Sequence, residues 1–208
     1  MPLPEHNMFF GINLSEEQRE YADSIFDHTL TITDSISGSG KTTVAVGCAK
    51  ILQKKLYYVF APVQEKELGF TPGDVEEKVE KYLSPLYDAL EEIGETPEKV
   101  IFTKKEFRPH AWVYPVPHTF LRGCNFKDAV VILEEVQNMT EHEIRKILTR
   151  CHDSCTVIMI GHQKQTDIPL HKSGFPKYKE AAKGQWFAKI VTLTKDYRGN
   201  LARWADNV

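Results

Sequence analysis

The sequence contains few cysteines, no long apolar run and little net charge, and each shortage excludes a class of protein. Its four cysteines in 208 residues form no disulfide framework. No apolar run approaches the roughly 20 residues that span a bilayer, and the first residues lack the features of a signal peptide. We therefore expect a cytoplasmic protein with no membrane partner. The net charge of −3 gives no overall basic signature for nucleic acid, although a local positive patch would be compatible with it.

What is present is the composition of an ordinary globular protein, with 41% hydrophobic and 26% charged residues. The length predicts one domain spanning residues 1–208. Cys151 and Cys155 flank a histidine and could form half of a zinc site, but structural zinc needs four ligands and no second pair lies elsewhere. We favour the interpretation that Cys151 ends a helix and Cys155 begins a buried strand.

Helix and strand signals alternate along the chain. Ser15 to Gln18 has the form of a capping box, and the continuously apolar runs 129–133 and 156–160 are typical of strands buried on both faces. This alternation predicts an α/β fold with a mainly parallel sheet and helices on both faces. Further strands are predicted over 29–33, 56–60, 111–114 (stopped by Pro115 and Pro117) and 187–194. Further helices are predicted over 41–53, 74–94 (broken near Ser84-Pro85), 140–150 and 201–205, and a polar, exposed insertion over 95–110.

The strongest motif is Ser-Gly-Ser-Gly-Lys-Thr at residues 37–42, between a predicted strand and a predicted helix. This is the context of a phosphate-binding P-loop, in which glycines let successive N–H groups point at an anion near a helix N-terminus. Lys41 is predicted to reach the β- and γ-phosphates, and the Thr42 hydroxyl to ligate Mg²⁺. Ser35 stands where the full pattern has its first glycine, and the alternative is a turn followed by an amphipathic helix. The predicted phosphate-binding residues are Ser37, Gly38, Ser39, Gly40, Lys41, Thr42 and Thr43.

Two acids, Glu134 and Glu135, follow the apolar strand 129–133. Ligands of open α/β sheets bind at the carboxyl ends of the strands, so an acidic pair there can serve a P-loop. Glu134 is predicted to hold Mg²⁺, and Glu135 to orient or deprotonate the attacking water. The alternative is a solvated strand end. The pair favours hydrolysis of a nucleotide over binding alone.

Strand 156–160 runs into a polar segment, residues 161–167. A glutamine at the end of a core strand can hydrogen-bond a γ-phosphate and report its loss. Gln165 is the candidate, and the alternative is an ordinary polar loop.

Together these residues resemble the PhoH-like family of P-loop ATPases, whose core is similar to the first RecA-like domain of superfamily-one helicases. The resemblance covers about residues 14–203. The family pattern G-P-A-G-T-G-K-T is matched by residues 35–42, and D-E-A-Q-N by residues 134–138. Further family runs are matched at residues 68–74, 81–90, 120–123 and 161–169.

The resemblance implies roles for particular residues. It assigns phosphate and Mg²⁺ binding to Lys41 and Thr42, water activation to Glu135, and γ-phosphate sensing to Gln165. Gln18 lies where helicase-like proteins read adenine. Arg198 lies where the family has an arginine after its last strand, which could stabilise transition-state charge; the alternative is a surface charge. The chain departs from the family pattern at Ser35, Ala61, Glu134 and His162.

The resemblance implies an Mg²⁺-dependent ATPase. A single RecA-like domain, without a second such domain or a nuclease domain, would take completing residues from a neighbouring subunit, so we expect a homo-oligomeric ring, most simply a hexamer. RNA or single-stranded DNA is the expected partner by analogy. One alternative is a nucleotide-binding switch or assembly module with little turnover, and another is a small-molecule kinase. The candidate phosphate contacts, which could equally be solvated surface, are Lys104, Lys105, Arg108, Arg122, Lys172, Lys177 and Lys179.

Overall fold

The computed structural model describes residues 9–61, 82–121 and 123–205. The family run at 68–74, the start of the helix predicted from residue 74, and Arg122 lie outside the described residues. The described α-helices are α1 (Glu16–Asp27), α2 (Lys41–Ile51), α3 (Ser84–Glu92), α4 (Pro97–Val100), α5 (Glu141–Leu148), α6 (Phe175–Ala182) and α7 (Asn200–Ala205). The strands are β1 (Leu30–Asp34), β2 (Lys55–Phe60), β3 (Val113–Pro117), β4 (Ala129–Glu134), β5 (Thr156–Gly161) and β6 (Ala188–Val191). Short 3₁₀ turns cover His118–Phe120, Val136–Asn138 and Leu170–Lys172.

The six described strands form one parallel sheet in the order β3-β2-β4-β5-β1-β6. β5 lies between β1, which leads into the P-loop, and β4, which carries the acidic pair. All strands run the same way, so the P-loop, the acids and the loop after β5 meet at the carboxyl edge. The predicted RecA-like α/β fold of a P-loop NTPase is confirmed.

Helices cover both faces of the sheet, because the strand residues alternate between two apolar cores. α1, α2 and α3 pack on one face, where Leu56, Tyr58 and Ile132 point. α5 and α6 pack on the other face, with Val59 and Leu133. β4 and β5 are buried along their whole length, as their continuous apolar sequences predict. No helix within the described ranges is both long enough and apolar enough to cross a membrane.

Two helices begin at capping boxes. Ser15 and Gln18 exchange side-chain and backbone hydrogen bonds at the start of α1, and Thr140 and Glu143 do so at the start of α5. Such reciprocal bonds satisfy N–H groups that the first helical turn leaves unpaired. Both helix starts predicted from the sequence are therefore confirmed.

The prediction for β3 was wrong about its end. Pro115 and Pro117 do not stop the strand, which runs through both of them. β3 is one of the two edge strands of the described sheet, and the carbonyl of Val113 accepts the backbone N–H of Phe102 on its outer side. Alternate residues face the same way, so both prolines face outward, where a missing N–H breaks no ladder bond.

Two further segments differ from expectation. The exposed insertion predicted at 95–110 is exposed mainly after Phe102, because Pro97, Val100 and Ile101 are buried against the core. Helix α6 was not predicted at all. Its start is fixed by tertiary contact, since a side chain added at Gly174 would overlap the backbone of Thr140 and Glu141.

Candidate nucleotide-binding site

The P-loop lies between β1 and α2 with two glycines in the left-handed region. Gly38 has φ 72° and Gly40 has φ 75°, values that other residues rarely adopt. Gly40 is the N-cap of α2, so the loop delivers its N–H groups to a helix N-terminus. A side chain at Gly38 would also overlap Asp196 and Arg198. Glycine is therefore required there by both backbone and space.

Ser35, which replaces the first glycine of the motif, is buried, and both its hydroxyl and its backbone N–H are hydrogen-bonded. Its hydroxyl lies 2.5 Å from the Thr33 hydroxyl and accepts the backbone N–H of Leu193 at 2.7 Å. Its own backbone N–H donates to the carbonyl of Gly161 at 3.0 Å. Ser35 thus ties the start of the P-loop to β5 and to the segment after β6. Two of these three partners, Thr33 and Leu193, contact the hydroxyl that glycine would lack.

The end of the P-loop meets the end of β4. The Thr42 hydroxyl donates to the Glu134 carboxylate, with oxygen–oxygen distances of 3.2 and 3.4 Å. Glu134 is only 4% exposed, and burial first, then repulsion from Glu135, raises its pKa to about 8. The charge of Lys41 lowers the pKa of Glu134, but by less than burial raises it. The structure therefore brings together Lys41, Thr42 and the acidic pair.

Glu135 has a left-handed backbone conformation, and its side chain is hydrogen-bonded. Its φ of 54° and ψ of 42° are left-handed, which is uncommon outside glycine and concentrates at functional sites. The residue is exposed, and its carboxylate accepts a hydrogen bond from Nε2 of Gln137. The turn thus points the second acid away from the strand interior that buries Glu134.

Gln137 connects the acidic end of β4 to the loop after β5. It is buried, and its Nε2 donates to the carbonyl of Gln165 at 3.0 Å, besides its bond to Glu135. Its Oε1 accepts the backbone N–H of His162 at 3.1 Å. A site role for Gln137 was not predicted, although its place in the run at residues 134–138 was the available signal. One amide therefore positions Glu135 and the predicted sensor loop together.

Gln165 lies beside the P-loop, where the Ser37 hydroxyl donates to its Oε1 at 2.7 Å. A second pair holds the same loop, because Asn138 and Asp167 exchange hydrogen bonds of 2.8 and 2.7 Å. The predicted sensor is thus adjacent to the phosphate-binding loop. Sensing itself stays a prediction.

Gln18 contacts the P-loop from α1. Its Nε2 donates to the carbonyl of Ser39 at 3.0 Å, and its Oε1 accepts the backbone N–H of Ser15 at 3.0 Å. The Ser39 hydroxyl in turn donates to the carbonyl of Ile36 at 2.8 Å. Both ends of the Gln18 amide are engaged, so adenine recognition stays a prediction that requires the amide to exchange partners.

Thr43 and Lys41 begin α2 with different contacts. The Thr43 hydroxyl donates to the Glu92 carboxylate of α3 at 2.6 Å. The Lys41 ammonium lies 3.3 Å from the carbonyl of Ile36, within the loop itself. Lys41 thus lies over the P-loop, whereas the Thr43 side chain is occupied by α3. A contact of Thr43 with a nucleotide stays a prediction.

Arg198 packs against the P-loop of its own chain. It forms an ion pair with Asp196 at 2.8 Å, and hydrogen bonds from Arg198 lower the pKa of Asp196. Between them, the backbone N–H of Tyr197 donates to the carbonyl of Gly38 at 2.9 Å. The segment after β6 is therefore a wall of the candidate site.

Two of the lysines predicted to contact phosphate form ion pairs with acidic side chains. Lys179 pairs with Asp34 at 2.5 Å, and Lys177 pairs with Glu141 at 2.7 Å. Asp34 also accepts the backbone N–H of Gln163 at 3.0 Å, which fixes the loop after β5 beside the P-loop. No sequence signal marked this link between Asp34 and α6. Of the part of the chain that is described, no group of three or more His, Cys, Asp or Glu residues could hold a metal ion.

Comparison with known proteins agrees with this geometry. A family profile described as "PhoH-like protein" matches residues 12–205. A PhoH-like protein of Synechocystis is 35% identical over 76% of this chain and 48% of its own length. A PhoH-like protein of Bacillus subtilis is 35% identical over 80% of this chain and 53% of its own length. Protein PhoH of Escherichia coli K12 is 33% identical over 74% of this chain and 45% of its own length. The chain thus spans about half the length of these relatives.

Solved helicase structures show a weaker likeness. Pif1 helicase of Candida albicans gives a TM-score of 0.45 at 16% identity, covering 94% of this chain and 43% of that one. Pif1 of Bacteroides sp. in complex with ADP-AlF4 gives a TM-score of 0.46 at 14% identity, covering 93% of this chain and 45% of that one. The fold assignment rests on strand order and the P-loop, and family membership rests on the sequence matches. By the profile match and the three relatives, this chain belongs to the PhoH-like protein family.

Proposed function

We propose that this chain binds ATP with Mg²⁺ at the carboxyl edge of the sheet and hydrolyses it. One observation carries the proposal: the Thr42 hydroxyl of the P-loop lies 3.2 Å from the buried carboxylate of Glu134. These groups come from segments 92 residues apart, and each is of the type that an Mg²⁺-bound triphosphate uses.

The donor set fits Mg²⁺. Thr42 and Glu134 offer hard oxygen ligands, and Mg²⁺ is commonly bound by one or two such groups plus phosphate oxygens. Burial disfavours the charged form of Glu134, so a cation beside it would compensate for lost hydration. When bound, Mg²⁺ would neutralise charge on the phosphates. Thr42 and Glu134 are the residues proposed to hold it.

The remaining side chains divide the other tasks. Residues 37–42 cradle the phosphates with backbone N–H groups, and Lys41 adds a positive charge. Glu135 orients and deprotonates the attacking water, and Gln137 holds Glu135 in place. Gln165 contacts the γ-phosphate and Gln18 the adenine. Arg198, already against Gly38, stabilises charge that develops in the transition state.

Turnover of MgATP tests the proposal directly. Glu135→Gln keeps the size of the side chain but cannot accept a proton, so we expect hydrolysis to fall by about 100-fold or more. Glu98→Gln, at an exposed glutamate of α4, is the matched control and should keep the wild-type rate. Equal hydrolysis by wild type and Glu135→Gln would contradict the catalytic assignment.

A second candidate is a nucleotide-binding switch with little turnover. The observation that favours it is the hydrogen bond from Gln137 to the Glu135 carboxylate, which occupies the proposed base. Equal, near-zero rates of ADP release in wild type and Glu135→Gln, together with MgATP binding, would establish the switch.

The proposal also includes a partner and an assembly. The ATPase acts on RNA or single-stranded DNA, as a homo-oligomeric ring in which a hexamer is favoured. These two parts rest on family resemblance. Light scattering of the full chain with and without MgATP measures the ring, and a monomer under both conditions would exclude it.

A further inference from the structure

A surface beside β3 combines aromatic rings with positive charge, far from the P-loop. We call it the aromatic-basic surface, and its residues are Phe102, Lys104, Lys105, Phe107, Arg108 and Tyr114. They line a cavity of about 640 Å³. Tyr114 is the second residue of β3, so the surface lies toward the amino ends of the strands, whereas the P-loop follows the carboxyl end of β1. A ligand here would not overlap the nucleotide.

Two phenylalanine rings of this surface are exposed to solvent. Phe107 is 88% exposed and Phe102 is 45% exposed. Phe102 stacks on Tyr114, with ring centroids 5.1 Å apart and planes inclined by 25°. Lys55 lies over the Tyr114 ring at 5.5 Å. Leaving a phenylalanine this exposed forgoes about 2 kcal/mol of burial, and an exposed ring is suited to stacking on another flat ring.

The charges around these rings are mostly positive. Lys104, Lys105 and Arg108 surround a single acid, Glu106, in a chain whose net charge is −3. Glu106 is paired with Arg108, with a nitrogen–oxygen distance of 3.3 Å. The guanidinium of Arg108 also donates to the carbonyl of Ile101 at 3.0 Å, which anchors the segment to the start of β3. Three cations therefore accompany one acid among the lining residues of this held segment.

We infer that the aromatic-basic surface binds single-stranded nucleic acid. Bases stack on Phe107 and Phe102, and Lys104 and Lys105 contact the phosphates. Alternating rings and cations suit a single strand, because a duplex hides its base faces in its own stack. RNA and DNA share this chemistry. The inference rests on the proposed coupling to a single strand and adds where that strand lies.

Fluorescence anisotropy with labelled oligouridine and oligothymidine, each about 20 nucleotides long, tests the inference on the full chain. Stacking predicts that Phe107→Ala weakens binding by about tenfold. Replacing both Lys104 and Lys105 by alanine should lower the slope of log affinity against log salt by about 1.4. The controls are Trp186→Ala, at a tryptophan that is 87% exposed elsewhere, and a Lys183→Ala, Lys189→Ala double variant with the same change in charge. A difference between the two oligonucleotides identifies the preferred sugar.

The outcomes separate this inference from the proposed function. Loss of binding in the Phe107 and lysine variants, with both controls unchanged, supports the surface. Wild-type binding that these variants leave unchanged overturns the surface but keeps the nucleic-acid partner. If the wild type binds no oligonucleotide, with or without MgATP, both the surface and the nucleic-acid partner are overturned. The ATPase proposal is tested separately by MgATP turnover. If light scattering shows that Phe107→Ala disrupts an oligomer without changing affinity for the strand, the surface is an interface between copies and the inference is overturned.

Discussion

At the carboxyl edge of the sheet, Thr42, Glu135, Gln137 and Gln165 are held by hydrogen bonds, whereas beside β3 the rings of Phe102 and Phe107 face solvent. The first region holds its donors and acceptors in fixed positions, as the proposed binding of a small, highly charged ligand requires. The second offers exposed flat rings and lysine charges, which suit the many sequences of the proposed single strand. On the two proposals made above, one sheet carries catalysis at the carboxyl edge and strand binding beside β3.

The largest effect is expected from a substitution in the P-loop, which should affect the first region and leave the second unchanged. Lys41→Ala should abolish the thermal stabilisation that MgATP gives, because it removes the positive charge lying over the loop. Binding of a single strand should stay within about twofold of wild type, since the aromatic-basic surface is untouched. Lys99→Ala, at an exposed residue of α4, is the control. Thermal shift measures the first effect, and an undiminished shift would contradict the assigned role of Lys41.

A smaller effect is expected at Gln137. Gln137→Ala should lower MgATP turnover by about 10- to 100-fold, because Glu135 and the loop carrying Gln165 lose their common anchor. The affinity for MgATP should change little, which steady-state kinetics reads as a lower kcat with a similar KM. Gln185→Ala, at an exposed residue before β6, is the matched control. An unchanged kcat would show that Glu135 holds its position without Gln137.

The last prediction concerns Glu134 and pH in the absence of metal and nucleotide. Burial raises the pKa of Glu134 from 4.5 to about 8, so the folded chain prefers the protonated form. Its contribution to the free energy of unfolding is therefore present below about pH 4.5 and is lost as pH rises toward 8. The loss is at most about 1.4 kcal/mol per pH unit.

Glu134→Gln removes this dependence, because an amide does not ionise. Urea unfolding of wild type and Glu134→Gln at a series of pH values measures the difference between them. Parallel stability curves across this range would contradict the buried, uncharged state of Glu134. Phe107→Ala, on the other side of the comparison, should follow the wild-type curve.

The sequence predicted the parts of the fold that follow from local pattern. The capping boxes at Ser15 and Thr140 located two helix starts, and the apolar runs at 129–133 and 156–160 located the two most buried strands. Side-chain periodicity and capping are properties of neighbouring residues, so one sequence suffices. The passage of β3 through its prolines was not predictable in this way, because it depends on β3 lying at an edge of the sheet.

The candidate site divides similarly. Motif spacing predicted that Thr42 and Glu134 would meet, since both follow parallel strands. It did not predict that Ser35 would accept from Leu193, that Gln137 would bridge two loops, or that Asp34 would pair with Lys179. Each of these contacts joins segments distant in sequence. Only the packed sheet determines which distant polar groups become neighbours.

The outward-facing prolines of β3 have a consequence for assembly. An outermost strand normally offers unpaired N–H groups that recruit a strand from another molecule, and proline withholds them. The two prolines therefore disfavour growth of the sheet from copy to copy on this side. Aromatic rings can therefore be exposed beside β3 with a smaller risk of continuous sheet polymerisation.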